Sequence, residues 1–83
     1  MTVIKSSVFK VLETFPGHSD DIKRLFRENR EFHSICEDYR QCTEALNHWS
    51  QSNEKEAPNR RQEYEQLLKE LMDEICLYLN ELA

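Results

Sequence analysis

The residues from His33 to Trp49, HSICEDYRQCTEALNHW, bring two histidines, two cysteines and several carboxylates into one short span. Histidine nitrogens and cysteine thiolates are common zinc ligands, and a cysteine thiolate is also the reactive form in redox chemistry. The span therefore raises the question of a metal centre or a reactive thiol. The answer depends on the local structure that positions these side chains.

A zinc centre needs more ligands than a straight helix gathers from this span. On a continuous helix, His33 and Cys36 lie about 60° apart on neighbouring turns and can supply two ligands. Cys42 lies about 120° around the helix from Cys36 and about 9 Å along it, which also excludes a disulfide between them. His48 lies about 22 Å beyond His33. We therefore predict no metal centre and no cofactor, and only the His33–Cys36 pair remains ligand-like.

The three cysteines, an odd number without a CxxC pair, are predicted to be free thiols. Cys42 falls on an apolar helical seam and Cys76 on the wide apolar face of the last helix, so both are expected to be packed inside. Cys36 flanks the seam and is expected to be the partly exposed thiol, although only Arg40, one turn later, suggests any activation.

Enzymatic activity is not expected from this sequence. Nucleophilic catalysis needs a nucleophile and a base that converge in a pocket, and a small helical assembly offers little concavity. Gly17 is the only glycine, so the chain has no glycine-rich loop for phosphate. No small-molecule substrate is inferred.

Length and composition favour a small helical protein. The 83 residues make one domain at most, with a small core, so self-association is a reasonable expectation. One glycine, two prolines and 33% charged residues favour long helices over sheet. The longest apolar run, ICLYL at 75–79, is far below the roughly 20 residues that span a bilayer, and the first residues lack a signal-peptide pattern. We expect a cytoplasmic protein without a membrane partner.

Pro16-Gly17 and the polar tract at 50–59 divide the single domain, residues 1–83, into three segments. Apolar spacing predicts a helix at about 3–15, a long helix at about 20–49, a loop at about 50–57 and a last helix at about 58–82. Thr2 is the predicted N-cap of the first helix, and Ser19 or Asp20 that of the second. Both long helices carry a heptad seam typical of a coiled coil, provided that Glu28 takes one seam position.

The loop of about eight residues between the long helices suits an antiparallel hairpin. Folding the chain about this loop places Tyr39 near Leu68 and Phe32 near Ile75. We therefore predict an all-α fold, a long antiparallel helical hairpin with a short N-terminal helix packed against it, and oligomerisation as a way to complete a bundle.

The apolar face of the last helix is wider than one partner helix can cover. This width predicts a protein–protein interaction or self-association module, whose partner is another protein or a second copy. Phe26 and Trp49 either cover the first helix and the loop or form an exposed patch. The candidate contact residues are Phe26, Tyr39, Leu68, Leu71, Met72, Ile75 and Leu79.

A nucleic-acid or ribonucleoprotein accessory role is the alternative function. It would use the basic stripe of Lys23, Arg27 and Arg30 to contact phosphates. The net charge of −5 and the carboxylates interleaved with the stripe oppose this interpretation. Ion pairing within the helix explains the stripe more simply.

The segments IKRLFRENREFHSI and LKELMDEICLYL resemble the YdcH-like family, small uncharacterised helical proteins of bacteria. That family has a short first helix, a Gly-containing turn, an LFxxxNxL-type helix, a Pro-marked loop and a last helix with a KDELYxLL-type pattern. The matching positions here are Gly17, Leu25, Phe26, Phe32, Pro58, Leu71, Asp73, Glu74, Ile75 and Leu79.

The chain departs from the family pattern at three polar positions. The family commonly has histidine in place of Asp21 and Asn29, and aspartate in place of His33. The resemblance implies a helical hairpin with a short N-terminal helix in a bacterial, cytoplasmic setting. It implies no activity, cofactor or catalytic residue.

Overall fold

Four α-helices form the regular structure of residues 3–82, which are the residues that the computed structural model describes. They are α1 (Val3–Thr14), α2 (Ser19–Glu28), α3 (Arg30–Ser50) and α4 (Ala57–Leu82), with a 3₁₀ turn at Pro16–His18 between α1 and α2. This part of the chain contains no strand, so the predicted all-helical class is confirmed. The N-cap predicted at Thr2 lies outside the described residues.

The turn between α1 and α2 follows from Pro16. Proline lacks the N–H that would continue the helix and disfavours helical geometry at the residue before it, and Phe15 accordingly has φ −127° and ψ 67°. α2 begins at Ser19, one residue earlier than predicted. His18 therefore takes the N-cap position, and its side chain makes no capping hydrogen bond. Asp20 and Asp21 in the first turn still suit the positive end of the helix dipole.

The long helix predicted at about 20–49 is interrupted at Asn29, and this prediction of one continuous helix is wrong. Asn29 adopts an extended conformation, with φ −116° and ψ 112°. Its N–H donates to the carbonyl of Leu25 at 2.8 Å and ends α2. Its side-chain oxygen accepts the N–H of Phe32 at 3.0 Å and caps α3, a role for which asparagine is among the preferred residues.

The interruption explains why Phe26 and Phe32 are both buried. On a straight helix, residues six apart point about 120° away from each other, so one partner surface cannot cover both. The break at Asn29 removes this constraint, because α2 and α3 are no longer one straight helix, and both rings belong to one core cluster. Glu28, a seam position in the heptad pattern, is exposed.

Replacing Asn29 with alanine is expected to lower the free energy of unfolding by about 1 kcal/mol, because the N–H of Phe32 loses its capping partner. Urea denaturation followed by circular dichroism measures this change. Asn53→Ala, which makes the same substitution at an exposed loop position, is the control and should be nearly neutral. Equal effects of the two variants would show that the Asn29 cap does not stabilise the fold.

α3 and α4 pack against each other along their length, as the predicted hairpin requires. Near the end away from the loop, the rings of Phe32 and Tyr78 meet edge to face with centroids 5.4 Å apart. Closer to the loop, Cys42 and Tyr64 line the same groove. This order of contacts shows that the two helices run antiparallel.

α1 and α2 both pack against α3, and α2 also contacts α4. Thr43 and Leu46 of α3 share a groove with Lys10 of α1, whereas Ile35 and Asp38 share grooves with α4. Large side chains from all four helices are fully buried between these layers: Val11, Ile22, Phe32, Cys36 and Ile75. The short helices therefore cover one flank of the α3–α4 hairpin and leave the other uncovered.

A side-chain hydrogen bond joins α1 to α3 at the end of α1. The hydroxyl of Thr14 donates its single proton to the carbonyl of Lys10 at 3.0 Å. Its oxygen, 2.8 Å from the Tyr39 hydroxyl, must therefore accept the proton of that tyrosine. The buried Tyr39 is thereby satisfied, and α1 is held in register on α3.

Candidate interaction face

The His33–Cys36 pair does not form a ligand set. The His33 ring stacks on Phe26 with centroids 4.3 Å apart. One ring nitrogen lies 3.4 Å from the Phe26 carbonyl and the other 3.3 Å from a Glu37 carboxylate oxygen. His33 thus stabilises the junction of α2 and α3. The Phe26 carbonyl is among the last of α2, so no N–H of that helix donates a hydrogen bond to it. Within the described residues, no group of three or more ligand-type side chains could hold a metal ion.

The prediction that Cys36 is a partly exposed thiol is wrong, since its exposed fraction is 0%. The side of α3 that carries it is covered by α1 and α2, and it shares a core cluster with Val11 and Ile22. Burial, and secondarily the neighbouring Glu37 carboxylate, raises the pKa of the Cys36 thiol to about 12. Cys42 is buried as predicted, and burial followed by Asp38 also raises the pKa of its thiol. Cys76 is half-buried.

The Cys36 thiol should make the fold less stable at alkaline pH. An ordinary thiol ionises near 9.0, whereas the folded Cys36 keeps its proton to about pH 12. Between these values the unfolded chain binds fewer protons, so the free energy of unfolding falls as pH rises. At pH 10 we expect Cys36 alone to remove ~1.4 kcal/mol relative to pH 8.

Urea denaturation at both pH values, with a reductant present, measures this alkaline loss. Cys36→Ala should lose less stability than the parent chain between pH 8 and pH 10, because its alanine has no proton to release. Other groups titrate equally in both proteins and cancel in the comparison. The same loss in both proteins would contradict a protonated Cys36 in the folded state.

The structure narrows the predicted contact set. Five of the seven residues are buried in the chain's own core: Phe26, Tyr39, Leu71, Ile75 and Leu79. They are occupied by contacts within the chain, so a partner would reach them only if the core opened. Leu68 is half-buried, and the exposed fraction of Met72 is 36%. Phe26 is buried in the core cluster, so it does not form the exposed patch that was one of its two sequence interpretations, and Trp49 is half-buried.

Two leucines outside that predicted set are exposed on α4, Leu77 at 63% and Leu67 at 41%. Leu77 shares a groove with Ile35 of α3, and Leu67 lines two further grooves. These grooves lie on the flank of the hairpin that α1 and α2 leave uncovered. We call this surface the open face and define it by Ile35, Leu67 and Leu77 together with the carboxylates Glu31, Asp38, Glu70 and Glu74.

The open face is acidic around its apolar residues. No lysine or arginine of the described chain lines any of its three grooves. Glu31 accepts a hydrogen bond from the Tyr78 hydroxyl at 3.0 Å, and Glu70 accepts one from the Gln66 amide at 3.2 Å. Both donors are neutral and leave the negative charge in place. At its loop end, Glu63 forms an ion pair with Arg60 at 3.2 Å.

A sequence signal for the open face exists on α4. Leu67, Glu70, Glu74 and Leu77 follow one another in steps of three, four and three, which is a second heptad row beside the buried seam. Because half of this row is acidic, hydrophobicity alone does not distinguish it from an ordinary solvated face. This row is a candidate interaction surface only because α1 and α2 pack on the opposite flank and leave it exposed.

The basic stripe of the alternative function is exposed at Lys23, Arg27 and Arg30. The neighbouring Arg24, which is not part of the stripe, forms an ion pair with Asp21 at 3.3 Å within α2. The break at Asn29 places Arg30 on a different helix from the other two. The stripe is therefore divided between α2 and α3.

No helix in residues 3–82 combines the length and apolar character needed to cross a bilayer. Comparison of the chain with protein-family models, curated proteins and solved structures found no match. The resemblance to the YdcH-like family remains a prediction from the motifs quoted above.

Proposed function

We propose that this chain is a protein interaction module, and that the open face is the surface that another protein chain covers. The observation that carries the proposal is the exposure of Leu67 and Leu77 on the one flank of the hairpin that the chain's own short helices leave uncovered. Burial of apolar area is the main driving force of association, so such residues gain most from a partner. A helix seated here would complete a bundle around α3 and α4.

Site-specific photo-crosslinking in the cell that makes the protein tests this function. A photoreactive amino acid at position 77, on the open face, should give crosslinked products of higher mass. The same amino acid at position 69, an exposed position on the outer side of α4, is the matched control. Products from position 77 that do not exceed those from position 69 would overturn the proposal.

The crosslinked products also show whether the second chain is a copy of this one. A product with twice the mass of the chain supports self-association, and a product with another mass supports a heterologous partner. Either outcome agrees with an interaction module, because both place a protein chain on the open face.

A further inference from the structure

We infer that the partner of the open face is a basic amphipathic helix from a different protein, with two apolar anchors about 10 residues apart and lysine or arginine between them. This inference rests on the proposed function and specifies the chemistry of the partner. It is carried by the order of side chains along α4 and by the charge of the grooves.

The spacing of the leucines sets the positions of the anchors. Leu67 and Leu77 are separated by ten residues, or about 15 Å along α4. Each opens onto a groove with an apolar contribution from α3, Ile35 beside Leu77 and Ala45 beside Leu67. A helix that lies along the hairpin therefore meets two apolar depressions about 15 Å apart, which match side chains at positions i and i+10 or i+11.

The carboxylates set the charge between the anchors. Glu70 and Glu74 lie between the two leucines on the same row, and Glu31 and Asp38 face them from α3. With no basic side chain lining these grooves in the described part of the chain, cationic residues on the partner at about i+3 and i+7 would meet uncompensated negative charge. Complementary charge of this kind selects the partner and accelerates association.

The same charges disfavour the other occupants. A second open face would bring Glu70 and Glu74 against their own copies, and like charges in contact oppose association. The basic stripe of a second copy fits less well, because Ile22 and Phe26 of α2 are buried and Leu25 is half-buried against the core, which leaves the stripe without a fully exposed apolar anchor. Nucleic acids and anionic lipids carry phosphates that this acidic surface repels.

Binding of designed peptides to the full chain tests the inference. The probe is a fluorescent helical peptide of about 18 residues with leucine at i and i+10 and lysine at i+3 and i+7. Fluorescence anisotropy should show saturable binding that weakens as salt rises. A matched peptide with glutamate in place of each lysine should not bind, and neither should a lysine peptide that lacks both leucines.

Two double variants separate the open face from the general negative charge of the chain. Glu70→Lys with Glu74→Lys should weaken binding of the basic peptide about tenfold and favour the glutamate peptide instead. Glu65→Lys with Asp73→Lys changes the net charge equally at exposed positions of α4 outside the open face. This control should bind the basic peptide nearly as well as the parent chain, and circular dichroism confirms that both variants remain helical.

Four results would overturn the inference: no binding of the basic peptide, equal weakening by both double variants, equal binding of the glutamate peptide, or equal binding of an oligonucleotide. Crosslinking at position 77 distinguishes this failure from failure of the proposed function. Crosslinked products without peptide binding would leave the interaction module in place and remove only the basic helix as its partner.

Discussion

Replacing Phe32 with alanine is expected to lower the free energy of unfolding by about 3–5 kcal/mol, the usual cost of removing a fully buried aromatic ring. Phe32 is fully buried at the start of α3, and its ring packs edge to face on Tyr78 of α4. It lies where α2, α3 and α4 come together, so no single element can shift to fill the space that the ring leaves. A chain of this size has about 5–10 kcal/mol in total, so the loss removes a large share of its stability, and the variant should unfold at a markedly lower urea concentration and temperature than the parent.

Thermal and urea denaturation measure this loss, with Phe9→Ala as the matched control. Phe9 is 58% exposed on α1, so the same substitution there should change stability by no more than about 0.5 kcal/mol. A two-state transition for Phe32→Ala within 1 kcal/mol of the parent would contradict the central position assigned to this ring.

Replacing Val11 with aspartate is expected to cost at least about 3 kcal/mol, because the new carboxylate would be buried without a partner. Val11 has an exposed fraction of 0% and shares the core cluster with Ile22 and Phe26. The substitution therefore tests whether α1 docks on the same chain, as the predicted fold requires. If it does, the chain either unfolds or releases α1 and exposes Cys36 to thiol reagents.

Phe9→Asp is the control for this second substitution, since it places the same charge in the same helix two residues away. Its exposed position should limit the cost to about the difference in helix propensity, under 1 kcal/mol. Equal stability of the two aspartate variants, together with an unreactive Cys36 in both, would show that α1 does not form part of the core.

The helical hairpin could be predicted from the sequence because its signals are local. Apolar periodicity indicates the helices, and Pro16 indicates the end of the first helix. The short polar tract between the two long helices indicates a loop that makes them antiparallel. The heptad pattern also located Phe32 and Ile75 opposite each other, and both are fully buried. These features depend only on the spacing of residue types along the chain, and that spacing can be read directly from the sequence.

The heptad pattern does not reveal the break at Asn29, because it runs through Glu28 without interruption. A charged residue at a seam position, followed at once by a preferred N-cap and by Glu31 in the next first turn, is a signal for a new helix. The continuous pattern concealed it, since residues on both sides of a bend can each keep helical spacing.

The burial of Cys36 and the open face could not be predicted from periodicity, for one shared reason. Helical spacing shows which residues lie on the same side of a helix, but not which side a third element covers. Once α1 and α2 pack on one flank of α3, Cys36 becomes interior and Leu67 and Leu77 remain outside. The side of the hairpin on which α1 and α2 pack thus determines both that the Cys36 thiol is buried and that the open face is exposed.

The junction at Asn29 also divides the molecule into parts that can open separately. The N–H of Asn29 makes the last backbone hydrogen bond of α2, and its carbonyl accepts the first one of α3. The hydrogen bonds of the two helices therefore form separate series that meet at this residue. Local unfolding proceeds in such cooperative units. Amide hydrogens of α1 and α2 should therefore exchange with solvent as one group, before those in the centres of α3 and α4. The hairpin that carries the open face would then keep its shape while the helices on its opposite flank transiently detach.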